Sequence, residues 1–376
     1  MGSKPNKAHL RVRVGHSYNA RFNSHHNQRN AELIAGPLTP IARFSKRFDS
    51  FALLAPRYDL IHSYNAVPLL TKCPFVLTFE DYMPRMPEDR PIAWLGQYLV
   101  NRLLRTQCIA ILAMSEYAMR QMKHQHRDRP ELERLLNKSE ILYPGIRPTR
   151  LAPKSAQRDL TLIFVGGDFY RKGGPALVRA HKALRAAGIP VQTILVSSLS
   201  WSASDYIGPP DAKGVKAAEK ELSEEGIVLH RSLPNGEVRR LMERADFLIL
   251  PTLHDTFGYV SLEAMAAGTP VIATATCAQT EIVEPGRSGF LLDFDNDLEV
   301  GKWTWIYGRK RPGYVEAYWS TIERLTSMLT ERLRQCWESR SDYKGLSAGA
   351  LARIDARFHP DRARKRLEQI YERARR

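Results

Sequence analysis

The strongest constraint on the fold lies in residues 160–292, where strand-length apolar runs and helix-length amphipathic stretches take turns almost without a break. The order is strand LTLIFVGG, helix PALVRAHKALRAAG, strands VQTILVS and GIVLH, helix NGEVRRLMERA, strand DFLILP, helix YVSLEAMAAG, strand PVIAT, helix QTEIVEP and the short run GFLLDF. Strands that alternate with helices bury both faces of a sheet when they run parallel, so this half predicts a doubly wound, Rossmann-like α/β domain. Pro175 stands where the first turn of a helix tolerates a missing N–H, and Gly188 and Gly268 stand where helices stop. The first half gives strands near LRVRV, YDLIHS, FVLTF, CIAILAMS and SEILYP, in an order that the pattern does not set. Residues 150–159, RLAPKSAQRD, read as a linker, which places one domain at 1–155 and the next at 156–350.

A chain of 376 residues is too long for one ordinary core, in keeping with two domains. Its longest apolar runs are strand-sized, and the basic start MGSKPNKAHLRVRV lacks the apolar stretch of a secretory signal. The four cysteines, Cys73, Cys108, Cys277 and Cys336, stand far apart with no metal-binding or disulfide spacing, which suits a reducing cytoplasm. No metal and no other cofactor is expected. The net charge of +16 is concentrated at the ends: residues 1–50 hold nine Lys/Arg against two acids, and residues 351–376 nine against four. Such ends either attract phosphate-bearing partners, a diphosphate ligand or an anionic lipid surface, or are simply solvated. No motif that reads a nucleic acid accompanies the charge, so none is expected as a partner.

The chemistry concentrates in PTLHDTFGYVSLEAMAAGTPVIAT, residues 251–274. Asp255 follows a strand, at the edge where open α/β sheets take ligands. The next helix opens near Gly258, and its free N–H groups and positive dipole end suit a diphosphate. Glu263 lies a turn further on, with Tyr259, Val260, Ala266 and Ala267 as its helical neighbours. An ionised carboxylate on so apolar a face is costly unless something hydrogen-bonds it. Paired ribose hydroxyls would do so, and so would an arginine from elsewhere in the chain. Upstream, LTLIFVGGDFYRKGGPALVRA runs strand, glycine turn, Lys172 and helix. Gly166 and Gly167 let backbone come close to a ligand there, and Lys172 is a natural phosphate partner.

These segments, LIFVGGDFYRKGG, HDTFGYVSLEAMAAGTPVIAT and EIVEPGRSGFLL, resemble the nucleotide-sugar half of family 4 of the retaining glycosyltransferases. The resemblance is specific over residues 160–292 and weaker in DLIHSYNA, PFVLTFED, AMSEYAMRQM and ILYPGI. It implies the GT-B fold: two Rossmann-like α/β domains facing an interdomain cleft, with a C-terminal helix, here 351–376, crossing back to the first domain. It also implies roles. Glu263 matches the acid that binds the nucleotide ribose, and Asp255 the acid beside the reacting carbon of the donor sugar. Lys172 matches the lysine that neutralises the donor diphosphate. Phe257, Gly258 and Tyr259 fall in the loop whose amides face sugar and phosphate, and Gly166 and Gly167 in the phosphate turn. The chain departs from the family pattern in four places. Asp255 is one methylene shorter than the usual glutamate, and Gly167 stands where an arginine is common, leaving Arg171 to replace its charge. Glu80 and Asp81 replace a His-Asp pair, and a single glycine, Gly15, remains in the loop after the first strand.

The pentapeptide HSYNA occurs twice, at 16–20 and 62–66, each time after a strand-like run. His16, His62, Glu80 and Asp81 are therefore candidates for the acceptor side, and a chance echo with structural histidines is the plain alternative. Residues 41–55, IARFSKRFDSFALLA, read as a helix with Ile41, Phe44, Phe48 and Phe51 on one face beside Arg43, Lys46 and Arg47, suited to a membrane surface or to a core. The aromatic-basic loop KWTWIYGRKRPGY either grips a surface or caps a neighbouring segment, and residues 314–339 read as one long amphipathic helix. The expected activity is retaining, metal-independent transfer of a sugar from a UDP or GDP donor to a hydroxyl of a lipid-linked or cell-surface glycan. The expected place is the cytoplasm, with weak binding to the inner face of an anionic membrane. A non-catalytic scaffold that binds nucleotide sugars is the alternative.

Overall fold

The computed structural model describes residues 10–15, 31–36, 39–40, 51–53, 58–85, 93–202, 206–209, 212–293, 295–297 and 299–375. The chain divides into two compact units, residues 1–147 with 357–376, and residues 148–356, so the boundaries fall a few residues from the 155 and 350 expected.

The first unit runs β1 (Leu10–Gly15), β2 (Ala31–Gly36), β3 (Thr39–Pro40), β4 (Phe51–Leu53), β5 (Leu60–Tyr64), β6 (Val67–Leu69), β7 (Phe75–Phe79), α1 (Ala93–Leu104), β8 (Cys108–Ala113), α2 (Glu116–Gln125), α3 (Leu132–Asn137) and β9 (Ser139–Ile141). Six strands form one parallel sheet in the order β2-β1-β5-β7-β8-β9. Period-two alternation sorts its side chains. Leu60 and Val76 join Val12 and Leu112 on one face, while Ile61, Phe75 and Leu77 join Leu99, Leu103 and Met122 on the other. Phe51 lies in β4, which pairs with β3 and β6, so the helix expected over 41–55 does not extend to its last residues. Ile41, Arg43, Phe44, Lys46, Arg47 and Phe48 lie outside the described residues, as does the first HSYNA with His16.

The second unit runs β10 (Leu160–Val165), α4 (Gly174–Ala186), β11 (Val191–Val196), α5 (Ala212–Lys220), β12 (Ile227–His230), α6 (Asn235–Arg244), β13 (Phe247–Leu250), α7 (Tyr259–Ala266), β14 (Val271–Thr274), α8 (Gln279–Ile282), β15 (Gly289–Leu292), β16 (Asn296–Asp297), β17 (Lys302–Trp303), α9 (Tyr314–Glu338) and α10 (Tyr343–Phe358). Its six-stranded sheet is parallel throughout, in the order β12-β11-β10-β13-β14-β15. The strand order therefore reverses between β10 and β13, the switch point where open α/β sheets leave a ligand crevice at their carboxyl ends. α9 lays Ile322, Leu325, Leu329 and Leu333 into the core, the apolar side of the amphipathic helix expected over 314–339. The last helix, α11 (Pro360–Glu372), belongs to the first unit and covers its sheet with Leu367, Ile370 and Tyr371.

Residues 150–159 are not a free linker. The amides of Gln157 and Thr161 donate to Asp246 at 2.9 Å each, and the Lys154 amide donates to Ser347 Oγ at 2.8 Å. Lys154 itself is 4 % exposed, its Nζ donating to Ala245 O at 2.5 Å and Thr269 Oγ1 at 2.6 Å. Burial pushes this ammonium down to about 7, although Asp246 pulls the other way. Between that value and the ordinary lysine value near 10.5 the unfolded chain holds a proton that the folded one lacks, so stability gains with rising pH across this window. We expect denaturant titrations at pH 7, 8 and 9 to show a pH-dependent gain of about 1 kcal/mol per pH unit that Lys154→Met removes. Identical slopes for the two proteins would refute it.

Candidate active site at the switch point of the second sheet

Three loops meet where β10, β11 and β13 end. After β10, residues 166–173 form the glycine turn, and the Lys172 side chain folds back across Gly166. A Cβ added there would lie 2.4 Å from Lys172 Cδ, so this glycine makes room for the lysine stem. The carbonyl of Gly167 is ringed by the loop after β11: Ser197 and Ser198 donate their hydroxyls at 3.3 Å, and Ser200 at 2.9 Å. That hydroxyl run, SSLS directly after a strand, was legible in the sequence and went unread.

After β13 comes the Asp255 loop. Lys172 Nζ stands 3.0 Å from Asp255 Oδ2, with the two side chains 16 % and 17 % exposed. Burial would push the Asp255 carboxyl up, but Lys172, with Arg171 behind it, outweighs this and holds it below the usual carboxylate range. Arg171 is largely spoken for: Nε and Nη2 donate to Asp168, Nη1 donates to His254 O at 2.7 Å, and Tyr206 lies against its guanidinium. Its place is that of a strut between two loops, and Lys172 is the cation that faces Asp255. His254, 3 % exposed, sits with Nδ1 3.2 Å from the buried thiol of Cys277.

Gly258, at φ 82°, turns the chain into α7. A side chain at Gly258 would run into Gln279 Nε2 at 1.8 Å, and the same amide donates to Phe257 O at 3.3 Å while Gln279 Oε1 accepts from Ser261 Oγ at 2.9 Å. Phe257 is buried, its ring 5.0 Å from that of Tyr259. The helix thus starts with its first N–H groups toward the same edge as Lys172 and Asp255. Glu263 is half-buried in α7, and its neighbours Leu262, Ala264, Met265, Ala266 and Ala267 are buried.

The aromatic-basic loop caps its own unit. Trp303 is fully buried, and Arg309 Nη2 donates to Pro209 O at 2.7 Å.

In the first unit, His62 lies inside β5 and not at a strand end as expected. Its Nδ1 shares a hydrogen with Tyr371 Oη at 2.7 Å and its Nε2 with Thr78 Oγ1 at 2.7 Å, so the imidazole fastens α11 to the sheet. Beyond it, Glu80 accepts from Tyr64 Oη at 2.9 Å, Asn65 Nδ2 at 3.2 Å and Arg85 Nη2 at 2.7 Å. Asn65 holds φ 53°, a left-handed conformation that asparagine tolerates better than most residues. Asp81, buried, accepts from Tyr117 Oη at 3.2 Å. Tyr64, Asn65, Glu80 and Arg85 are thus one polar network at the carboxyl ends of β5 and β7, with Asp81 next to it in sequence. Among the described residues no three His, Cys, Asp or Glu side chains gather as a metal site, and no helix is long and apolar enough to cross a membrane.

Known proteins share this architecture. Residues 148–301 match the family described as glycosyl transferases group 1. A D-inositol 3-phosphate glycosyltransferase of Arthrobacter sp. (strain FB24) is 33 % identical over 157 residues, 41 % of this chain and 35 % of that protein. A putative colanic acid biosynthesis glycosyltransferase, WcaL, of Salmonella typhimurium is 27 % identical over 165 residues, 42 % of this chain and 38 % of that protein. The match thus spans little more than a third of these relatives' length. By structure, Anabaena Alr3699/HepE in complex with UDP aligns over 97 % of this chain and 100 % of its own, with a TM-score of 0.62 and 16 % identity. Sucrose-phosphate synthase of Thermosynechococcus elongatus aligns over 97 % and 98 %, with a TM-score of 0.59 and 13 % identity. The fold is the GT-B fold expected from the sequence. Within residues 148–301, in the second unit, this chain is thus similar to the glycosyl transferases group 1.

Proposed function

We propose that the protein is a retaining glycosyltransferase that takes a sugar from a UDP or GDP donor and joins it to a hydroxyl of a lipid-linked or cell-surface glycan. The Lys172–Asp255 pair, 3.0 Å apart at the switch point of the second sheet, carries this reading. A donor diphosphate seated at the start of α7 would share the Lys172 ammonium with Asp255, placing positive charge where the leaving group becomes negative. The bond from the anomeric carbon to the phosphate oxygen breaks with its electron pair going to the diphosphate. The acceptor oxygen bonds the same carbon from the same face, and its proton passes to the departing phosphate oxygen. Asp255, kept ionised by its cationic neighbours, faces the positive charge that grows on the sugar ring. Glu263 would take the ribose diol, with the small alanines around it giving access. Neutralisation by Lys172 and the α7 N–H groups leaves no step in this scheme that calls for a metal.

The polar network around Glu80 and Asp81 offers both donors and acceptors to a sugar hydroxyl and supports an acceptor role for the first unit. Cytoplasmic placement with peripheral attachment to the inner membrane face rests on the basic ends of the chain.

A thermal-shift screen with UDP, GDP and their sugars tests the donor reading. Ligand at a hundred times its dissociation constant stabilises the fold by about 2.7 kcal/mol, which raises the midpoint by several degrees. We expect such a rise with one base and its sugars, followed by slow hydrolysis of the matching nucleotide sugar. No shift with any nucleotide would overturn the proposal, and a shift with no hydrolysis or transfer would make the protein a binding scaffold.

A further inference from the structure

Among the described residues of the second unit, the exposed aromatic side chains are Tyr206 and Tyr307, at 41 % and 42 %, and they lie on each other. Their ring centroids are 5.9 Å apart with planes 28° from parallel, although roughly a hundred residues separate them in sequence. The pair adjoins the candidate site. Tyr206 meets the ring of His254, the residue before Asp255, edge-on at 6.0 Å, and Arg171 lies 5.9 Å from its centroid. At the other end, the Lys302 ammonium is 5.9 Å from the Tyr307 ring. Both segments are held firmly from below. Gly208 N donates to Tyr314 Oη at 3.1 Å, Trp201 Nε1 and Arg309 Nη2 donate to Pro209 O at 2.8 and 2.7 Å, and Cys277 N donates to Gly301 O at 3.0 Å. Tyr307 itself sits at φ 62°, a left-handed conformation unfavourable for a non-glycine residue. A core has no need of two aromatics left partly in water on two well-anchored segments, one of them in a left-handed conformation. Rings of this kind beside a carboxylate and a cation are how polar sites present an apolar wall.

We propose that Tyr206 and Tyr307 form an aromatic platform for a pyranose ring at the Asp255 loop, and that this platform helps to select the sugar. The C–H face of a pyranose is weakly positive and apolar and suits the electron-rich exposed surface of a tyrosine pair, while its hydroxyls stay free to meet solvent and polar groups. The nucleoside is the poorer fit, because the pair abuts the loop of Asp255 and His254 and not the helix turn that carries Glu263. The proposal rests on the donor reading above, and the pyranose comes either from the donor or from the acceptor glycan.

The test uses the full chain with Tyr206→Ala, Tyr307→Ala and the matching Phe variants, assayed with UDP and with UDP-glucose, UDP-N-acetylglucosamine and GDP-mannose. Hydrolysis without acceptor forms one arm, and transfer to an oligosaccharide the other. Each alanine variant should raise KM by about tenfold or more in one arm while nucleotide affinity and the melting midpoint stay near wild type. Each Phe variant should stay close to wild type, because stacking needs the ring and not the hydroxyl. An effect on hydrolysis assigns the ring to the donor, and one confined to transfer assigns it to the acceptor. Unchanged KM in both arms, or Phe variants as impaired as Ala, would overturn the platform while nucleotide binding leaves the donor reading standing. Failure of the wild type to bind any nucleotide would remove both.

Discussion

Replacing Lys172 by alanine is expected to slow sugar transfer by about a hundred- to a thousandfold, the usual cost of removing one preorganised charge from a developing anion. The loss has a second part that distinguishes it from a simple binding defect. Asp255 is 17 % exposed and stays ionised because the Lys172 ammonium at 3.0 Å outweighs its burial. Without Lys172, Arg171 is the nearby cation that remains, and it is already engaged by Asp168 and the His254 carbonyl. Burial then dominates and the Asp255 carboxyl rises. In the wild type the acid limb of the rate profile should lie below the ordinary aspartate range near 3.8, because the folded value is depressed. In Lys172→Ala that limb should move to higher pH, so activity is lost earlier as the solution is acidified. Lys172→Arg should restore the position of the limb, though not the full rate, since a planar guanidinium replaces a point charge. Rate profiles measured on nucleotide-sugar hydrolysis decide the matter: superimposable limbs for wild type and Lys172→Ala would separate Asp255 from Lys172 and end the paired mechanism.

How far such a pair is visible in the sequence depends on the range of the interaction. The second sheet could be read because burial on both faces leaves continuous apolar runs: all four residues of β13, FLIL, and of β14, VIAT, are buried. β2 escaped because it is an edge strand that carries the exposed Glu32, and α5, AKGVKAAEK, because it is short and buries Val215 and Ala218 alone of its interior positions. Lys172 and Asp255 were readable as separate candidates, each from its place after a strand. Their contact was not, since 82 residues lie between the two in sequence and nothing local encodes the 3.0 Å approach. Arg171 shows the converse. Its partner Asp168 lies three residues earlier, so the pairing that draws it away from a purely ligand-facing role was legible in DFYR. His62 was beyond local reasoning, because Tyr371 stands 309 residues away. The strap at 150–159 looked like a linker for a related reason. It is held mainly through backbone amides, which leave no side-chain pattern, and Lys154 reads as a surface lysine until three buried oxygens are found around it.

Gly173→Ala should be among the most damaging single-methyl changes in the second unit, and it strikes the approach that creates the Lys172–Asp255 contact. Gly173 holds φ 73°, and a Cβ there would lie 1.9 Å from the carbonyl oxygen of Pro251 and 2.7 Å from its carbon. Both atoms are backbone at the root of the Asp255 loop, so no rotamer change relieves the overlap. The two loops are also tied at the neighbouring residue, where Leu253 N donates to Arg171 O at 2.9 Å. The left-handed conformation costs an alanine about 1–2 kcal/mol, and forcing extra atoms into a packed interior adds about 1–3 kcal/mol. A total of about 3 kcal/mol lowers the melting midpoint of a unit this size by roughly 6–12 °C. Gly236→Ala gives the contrast: it lies in α6 with nothing within 4 Å of an added Cβ, and helix propensity there predicts a neutral or slightly stabilised protein. If the loops part to admit the methyl, Lys172 withdraws from Asp255, so whatever fraction of Gly173→Ala remains folded should show the raised acid limb of Lys172→Ala. A variant that melts with the wild type and keeps its rate profile would mean that the two loops do not meet as closely as the reaction scheme requires.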